Sequence, residues 1–155
     1  MDPEQHPVIK ALRESGTLPR NHINYLIRHG RSYRGRPLPE GTETFPPGEC
    51  ITASRTLFGQ HGWNIIQGWA ILPPSIGGDL RIPMFHAWVT PDGETAFDGV
   101  WPDAENASYF GLTFDYDNQV DSMLTVQPPL RSNQVRVDLL PGKFARSLQR
   151  PFKLV

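Results

Sequence analysis

The run from Met84 to Asp98 limits the fold more than any other stretch of this chain. Residues 84 to 89 (Met-Phe-His-Ala-Trp-Val) are apolar-rich and alternate, and residues 94 to 98 (Glu-Thr-Ala-Phe-Asp) are short and strand-like. Pro91-Asp92-Gly93 lies between them with glycine where a left-handed residue is needed, so the segment predicts a β-hairpin. With a three-residue loop, Thr90 faces Glu94 and the register sets His86 directly opposite Asp98. Cross-strand partners share a face, with Cβ atoms about 4.5–5.5 Å apart, so an imidazole and a carboxylate placed this way can hydrogen-bond. That bond fixes one tautomer and leaves the other ring nitrogen free. A four-residue loop instead pairs His86 with Phe97 and turns Asp98 to the opposite face. In that register the third group has to come from the following loop, where Asp103, Glu105 and Asn106 are nearest.

Cys50 is the single cysteine, and it follows Pro46-Pro47-Gly48-Glu49 where a Pro/Gly stop gives way to a helical pattern. Cys50, Ala53, Ser54 and Leu57 fall along one stripe of that helix, which is expected to end near Gly59. A thiol at a helix start meets the positive end of the helix dipole and unpaired backbone N–H groups, both of which favour the nucleophilic thiolate. Taken alone, a lone cysteine is usually a small buried hydrophobe and a strand histidine usually a satisfied core residue. In combination, Cys50, His86 and Asp98 make a nucleophile, a base and a group that orients the base.

These residues resemble the papain-like/transglutaminase-like superfamily: a Cys at a helix start, His86-Ala87-Trp88 on a strand, a turn, then Asp98-Gly99-Val100-Trp101. More narrowly, the pattern is similar to small bacterial and phage proteins of that group, in which a Tyr-x-Gly segment often follows; Tyr109-Phe110-Gly111-Leu112 matches it. The resemblance covers roughly residues 46 to 114. It implies an α+β fold with the nucleophile helix packed against an antiparallel β-sheet, and a Cys50-His86-Asp98 triad attacking amides, esters or thioesters. Relatives often carry Asn-Ala three and four residues after the cysteine, where this chain has Ala53 and Ser54.

At 155 residues the chain suits one domain: an N-terminal helical and loop extension over 1–48, a catalytic core over 49–114, and a C-terminal strand with a basic tail over 115–155. Sixteen prolines and fourteen glycines favour short elements over a helical bundle. Helices are expected from Pro7 to Ser15, with Gly16 as the stop, and over Ile23 to Ile27 with Asn21 as N-cap. Residues 30–48 read as a loop able to fold over the site, 63–72 as a strand, 73–79 as a loop, 135–140 as a strand and 144–148 as a short helix. No apolar run approaches the ~20 residues that span a membrane, and the polar start predicts no signal peptide. One cysteine permits no internal disulfide, which suits a reducing cytoplasm, whether the protein stays there or is exported without a signal peptide as an effector.

Charge is unevenly spread. Residues 49–118 hold nine acidic and two basic side chains, which disfavours a nucleic-acid groove at the site. The tail carrying Lys143, Arg146, Arg150 and Lys153 is either a solvated face or a surface for a protein partner. Histidines at 6, 22, 29, 61 and 86 lack paired metal-ligand spacing, and no cofactor is expected. A competing motif, Arg28-His29-Gly30-Arg31, is similar to the signature of histidine phosphatases, with Arg55 and His61 available as further groups. The favoured reading remains a cysteine hydrolase or acyl-transfer enzyme of protease, glutamine deamidase or transglutaminase type, acting on a protein or peptide. A non-catalytic protein-binding module on the same fold is the alternative. The oxyanion is expected at the Cys50 N–H and a second donor, for which Gln60, His61 and Asn64 are candidates.

Overall fold

The computed structural model describes residues 1–113, so the strand expected over 135–140, the helix over 144–148 and the basic tail lie outside the described residues. Helix α1 (Pro7–Ser15) forms where the sequence places it. Proline occupies its first turn, the His6 side chain accepts a hydrogen bond from the Val8 N–H, and Gly16 ends it in the left-handed conformation. Helix α2 runs from Arg20 to His29 with Pro19 as N-cap, so Asn21 lies inside the helix and caps nothing. Val8, Ile9, Leu12, Ile23 and Leu26 supply the buried faces of the pair.

Strand β1 (Arg31–Arg36) follows directly, within the stretch read as a loop. Only Tyr33 and Gly35 of this strand are buried. Its apolar alternation is therefore reduced to one aromatic residue and one glycine, among arginines that face outward. Helix α3 (Cys50–His61) begins on the expected residue and ends at His61, two residues beyond Gly59, with Gly62 as its C-cap. Strand β2 (Asn64–Ile71) matches the expected strand, and a four-residue helix, α4 (Pro74–Gly77), occupies the expected loop. Strands β3 (Pro83–Thr90), β4 (Thr95–Phe97) and β5 (Ser108–Thr113) complete the set.

The five strands close into a barrel in the order β1-β4-β3-β2-β5. Four of the pairings are antiparallel and β1–β4 is parallel, so the sheet is mixed, in contrast to the antiparallel sheet expected. Closure removes every free strand edge from this sheet. The interior is a cluster of Tyr33, Ile66, Ala70, Trp88, Ala96, Ala104 and Tyr109, with Trp101 packed against it. Helix α1 packs on β2, β3 and β5, and α3 packs on β2 and β3.

Glycine makes the closure possible at one crossing. Gly68 on β2 is the register partner of both His86 on β3 and Gly111 on β5. A Cβ at position 68 would lie 2.3 Å from the Phe110 carbonyl oxygen and 2.4 Å from the Gly111 Cα. Those are backbone atoms of the neighbouring strand and cannot rotate away, so a side chain here forces β2 and β5 apart. Gly68→Ala is expected to destabilise the protein by about 3 kcal/mol or more, the upper end of overpacking costs. Chemical denaturation followed by tryptophan fluorescence measures it, and a change below about 1 kcal/mol would show that the strands separate freely.

Candidate active site

The hairpin forms, but two residues off the expected register. Val89 pairs with Phe97, whereas the three-residue loop would have set Val89 opposite Thr95. Two causes act together, one local and one long-range. The Asp92 carboxylate gathers the loop around itself, Oδ1 accepting from the N–H groups of Glu94 (2.9 Å) and Thr95 (2.7 Å) and Oδ2 from the Thr95 hydroxyl (2.8 Å). Beyond the loop β4 is drawn toward β1, with Thr95, Ala96 and Phe97 facing Arg34, Gly35 and Arg36, and it keeps one ladder pair with β3.

An even shift preserves the face, so Asp98 stays on the side of the hairpin that carries His86. Carried one residue beyond Val89–Phe97, the register sets Asp98 beside Trp88 and diagonal to His86, within side-chain reach. His86 Nε2 and Asp98 Oδ2 are 2.8 Å apart, and both side chains are almost completely buried. The Asp98 carboxylate accepts three further bonds. Oδ1 takes the N–H groups of Val100 and Trp101, each at 2.9 Å, and Oδ2 also takes the Tyr109 hydroxyl at 2.8 Å. The tight turn after Asp98 brings the Trp101 ring flat against the imidazole, with centroids 3.9 Å apart and planes 8° from parallel.

Cys50 is the first residue of α3 and is partly exposed. Glu49 occupies the N-cap without a side-chain hydrogen bond, so no side chain at the cap competes for the amides of the first turn. The thiol is close enough to His86 to act on it as a hydrogen-bond partner. With Nε2 engaged by Asp98, Nδ1 is the nitrogen left for sulfur. Two contacts hold the helix start in place. The Phe45 N–H donates to the Gly99 carbonyl at 2.8 Å, and Gly99 lies against α3, where an added Cβ would sit 3.0 Å from Ala53 Cβ and from Leu57 Cδ1. Ala53 is thus a buried packing residue here.

Burial alone would depress His86, but the adjacent Asp98 charge, the hydrogen bond to it and the Cys50 thiol reverse that and hold the imidazole well above its ordinary value. Asp98 shows the opposite balance. Burial would raise it, yet the His86 charge, the bond to His86 and the Trp101 and Val100 amides hold it below the usual carboxylate range. Tyr109 is pushed up by burial and by the Asp98 charge, and so remains a donor. His6 makes a useful contrast: buried without a carboxylate partner, it is lowered to about 4 by desolvation.

Other expected contributors lie elsewhere. Gln60, His61 and Asn64 are exposed at the far end of α3 or beyond it, and ten residues of helix separate Gln60 from Cys50 by about 15 Å. None of the three stands near Cys50. Arg28 and His29 occupy the last turn of α2 and not a strand, with the His29 ring against Tyr25, while Arg55 and His61 are exposed on α3. Asp103, Glu105 and Asn106 are not needed as the third group, and the Asn106 side chain donates to Asp103 at 2.7 Å. Sequence reasoning missed the Tyr109 hydroxyl as a fourth donor on Asp98 and the Trp101 ring as a cover for His86. The Tyr-x-Gly segment and the Asp98–Trp101 spacing were the signals that carried them.

A cavity of about 420 Å³ adjoins the far side of the site, with Asp98, Trp101, Phe45, Leu38 and Arg36 among its walls; neither Cys50 nor His86 lines it. Among the described residues no cluster of three or more His, Cys, Asp or Glu side chains is arranged to hold a metal ion, and no helix is long and apolar enough to cross a membrane. No protein-family model matches the sequence, and neither a curated protein nor a solved structure matches it.

The two shifts give a signed pH dependence. The raised His86 contributes stability in full below its unfolded value of 6.5 and loses it as pH rises toward the folded value. The lowered Asp98 contributes in full above 3.8 and loses it as pH falls. Melting temperature should therefore decline as pH rises above about 6.5, and His86→Gln should flatten that limb. Parallel alkaline limbs in the two proteins would mean that His86 is not charged in the folded state.

Proposed function

We propose that this protein is a cysteine-dependent hydrolase, amidase or acyl-transfer enzyme that acts on a protein or peptide through a thioester, on a fold of papain-like/transglutaminase-like kind. The observation that carries the reading is a single imidazole held between a buried carboxylate and a thiol at the first turn of a helix. Before the reaction His86 already holds at Nδ1 the proton given up by Cys50, and the thiolate sulfur attacks a carbonyl carbon. The resulting oxyanion is held by helix-start N–H groups near Cys50. Collapse breaks the bond to the leaving group, which departs with the proton from His86, and leaves an acyl-Cys50 thioester. Water or an amine, deprotonated by His86, then attacks the thioester and releases Cys50. Asp98 stays ionised throughout and steadies the imidazolium.

Such a thiol works only while reduced, which suits a cytoplasm, either the one in which the protein is made or one into which it is delivered. The second reading, a binding module on the same fold, is favoured by one observation: the position of the relatives' Asn is filled by Ala53, and none of the expected side-chain donors stands near Cys50.

Alkylation separates the two readings without a known substrate. Iodoacetamide should label Cys50 well below the free-thiol range of about 8.5 in wild type. Labelling that emerges only near that value would favour the binding module. In a panel of peptide amides, esters and thioesters, Cys50→Ala should lose all turnover with its melting temperature nearly unchanged, because the side chain is only partly enclosed. Retained turnover would rule out Cys50 as the nucleophile.

A further inference from the structure

Asp98 Oδ2 is shared. His86 Nε2 and the Tyr109 hydroxyl both approach it at 2.8 Å, while Oδ1 is saturated by two backbone amides. Tyr109 is fully buried in the barrel interior, and its phenol is oriented to donate to this oxygen. A donor on an anion draws charge toward itself. The phenol therefore competes with the imidazolium for the electron density of the same oxygen.

We propose that Tyr109 is a positioning residue that acts through Asp98: it locks the carboxylate rotamer that aims His86 at Cys50, and it moderates the grip of Asp98 on the imidazolium so that the proton can be returned. This rests on the Cys50-His86-Asp98 reading above. Without the phenol, Asp98 would hold the imidazolium harder, and His86 would become a weaker acid toward the leaving group. The other ionisable groups facing this network are Cys50 from α3 and Glu105 from the short turn Ala104–Asn106, which acts on the Tyr109 phenol.

The test uses the full-length protein, ¹⁵N spectra of the His86 ring across pH, and the pH profile of iodoacetamide labelling at Cys50. Tyr109→Phe keeps the ring and removes one donor. The midpoint of His86 deprotonation should then move upward by roughly one pH unit, the scale of one charge-assisted hydrogen bond. Replacing tyrosine by 3-fluorotyrosine makes the phenol a stronger donor and should move the midpoint downward. Tyr33→Phe removes a buried hydroxyl bonded to Thr113 elsewhere in the barrel and should leave it in place. Opposite shifts from Tyr109→Phe and 3-fluorotyrosine support the proposal. An unmoved midpoint in Tyr109→Phe, with a clear shift in Asp98→Asn, overturns it and leaves the triad standing. No shift in Asp98→Asn removes the triad reading and the proposal together. Should Tyr109→Phe fail to fold, the fluorotyrosine arm decides alone, and an unmoved or upward midpoint there overturns the proposal.

Discussion

A carboxylate enclosed in a protein interior is tolerable only when its charge is answered, and Asp98 meets that condition with four donors. The four donors come from three structural commitments. The Val100 and Trp101 amides require the chain to fold back sharply just after β4. The Tyr109 hydroxyl requires β5 to close the barrel, and the imidazole requires β3 to present His86 to the interior. Removing any one leaves a buried anion partly unsatisfied, so the local turn, the closure and the hairpin reinforce one another.

Space is the second constraint, and the sequence provides it by omission. Gly68 stands opposite His86 where any side chain would strike the next strand, and Gly99 lets α3 settle against the turn that follows Asp98. Residues without side chains thus decide how closely β2 approaches β5 and how closely α3 approaches the turn after Asp98. The same turn brings Trp101 face to face with His86, where it excludes water from one side of the imidazole and limits its rotation.

The hairpin, helices α1 and α3 and strand β2 were legible because periodicity, proline and glycine all pointed the same way over those stretches. The register was legible only in parity. Face alternation fixes whether Asp98 lies beside His86, but the two-residue displacement comes from the Asp92-centred loop and from the pull of β1, and the second of these is a long-range pairing that no local pattern encodes. Strand β1 was hidden because Gly35 serves as an inward position: a Cβ there would meet the Ala104 carbonyl at 1.8 Å. Without an apolar side chain at that position, the alternation disappears among arginines. The oxyanion candidates failed for a simpler reason, since they lie a full helix away from Cys50. Face alternation in the hairpin anticipated that Asp98 and His86 share a side, although it said nothing of how many donors Asp98 would collect.

The hydrogen bond from Phe45 to Gly99 joins two stretches that are distant in sequence at a point five residues before Cys50 and one residue after Asp98. Cys50 and Asp98 are therefore connected by a short mechanical circuit, whose Cys50 side runs through Pro46 and Pro47 and has few conformations to explore. Their separation is set within that circuit rather than by the sum of packing errors around the barrel. Cys50 and Asp98 keep station through that link, much as a strut across a frame holds two points whatever the rest of the frame does.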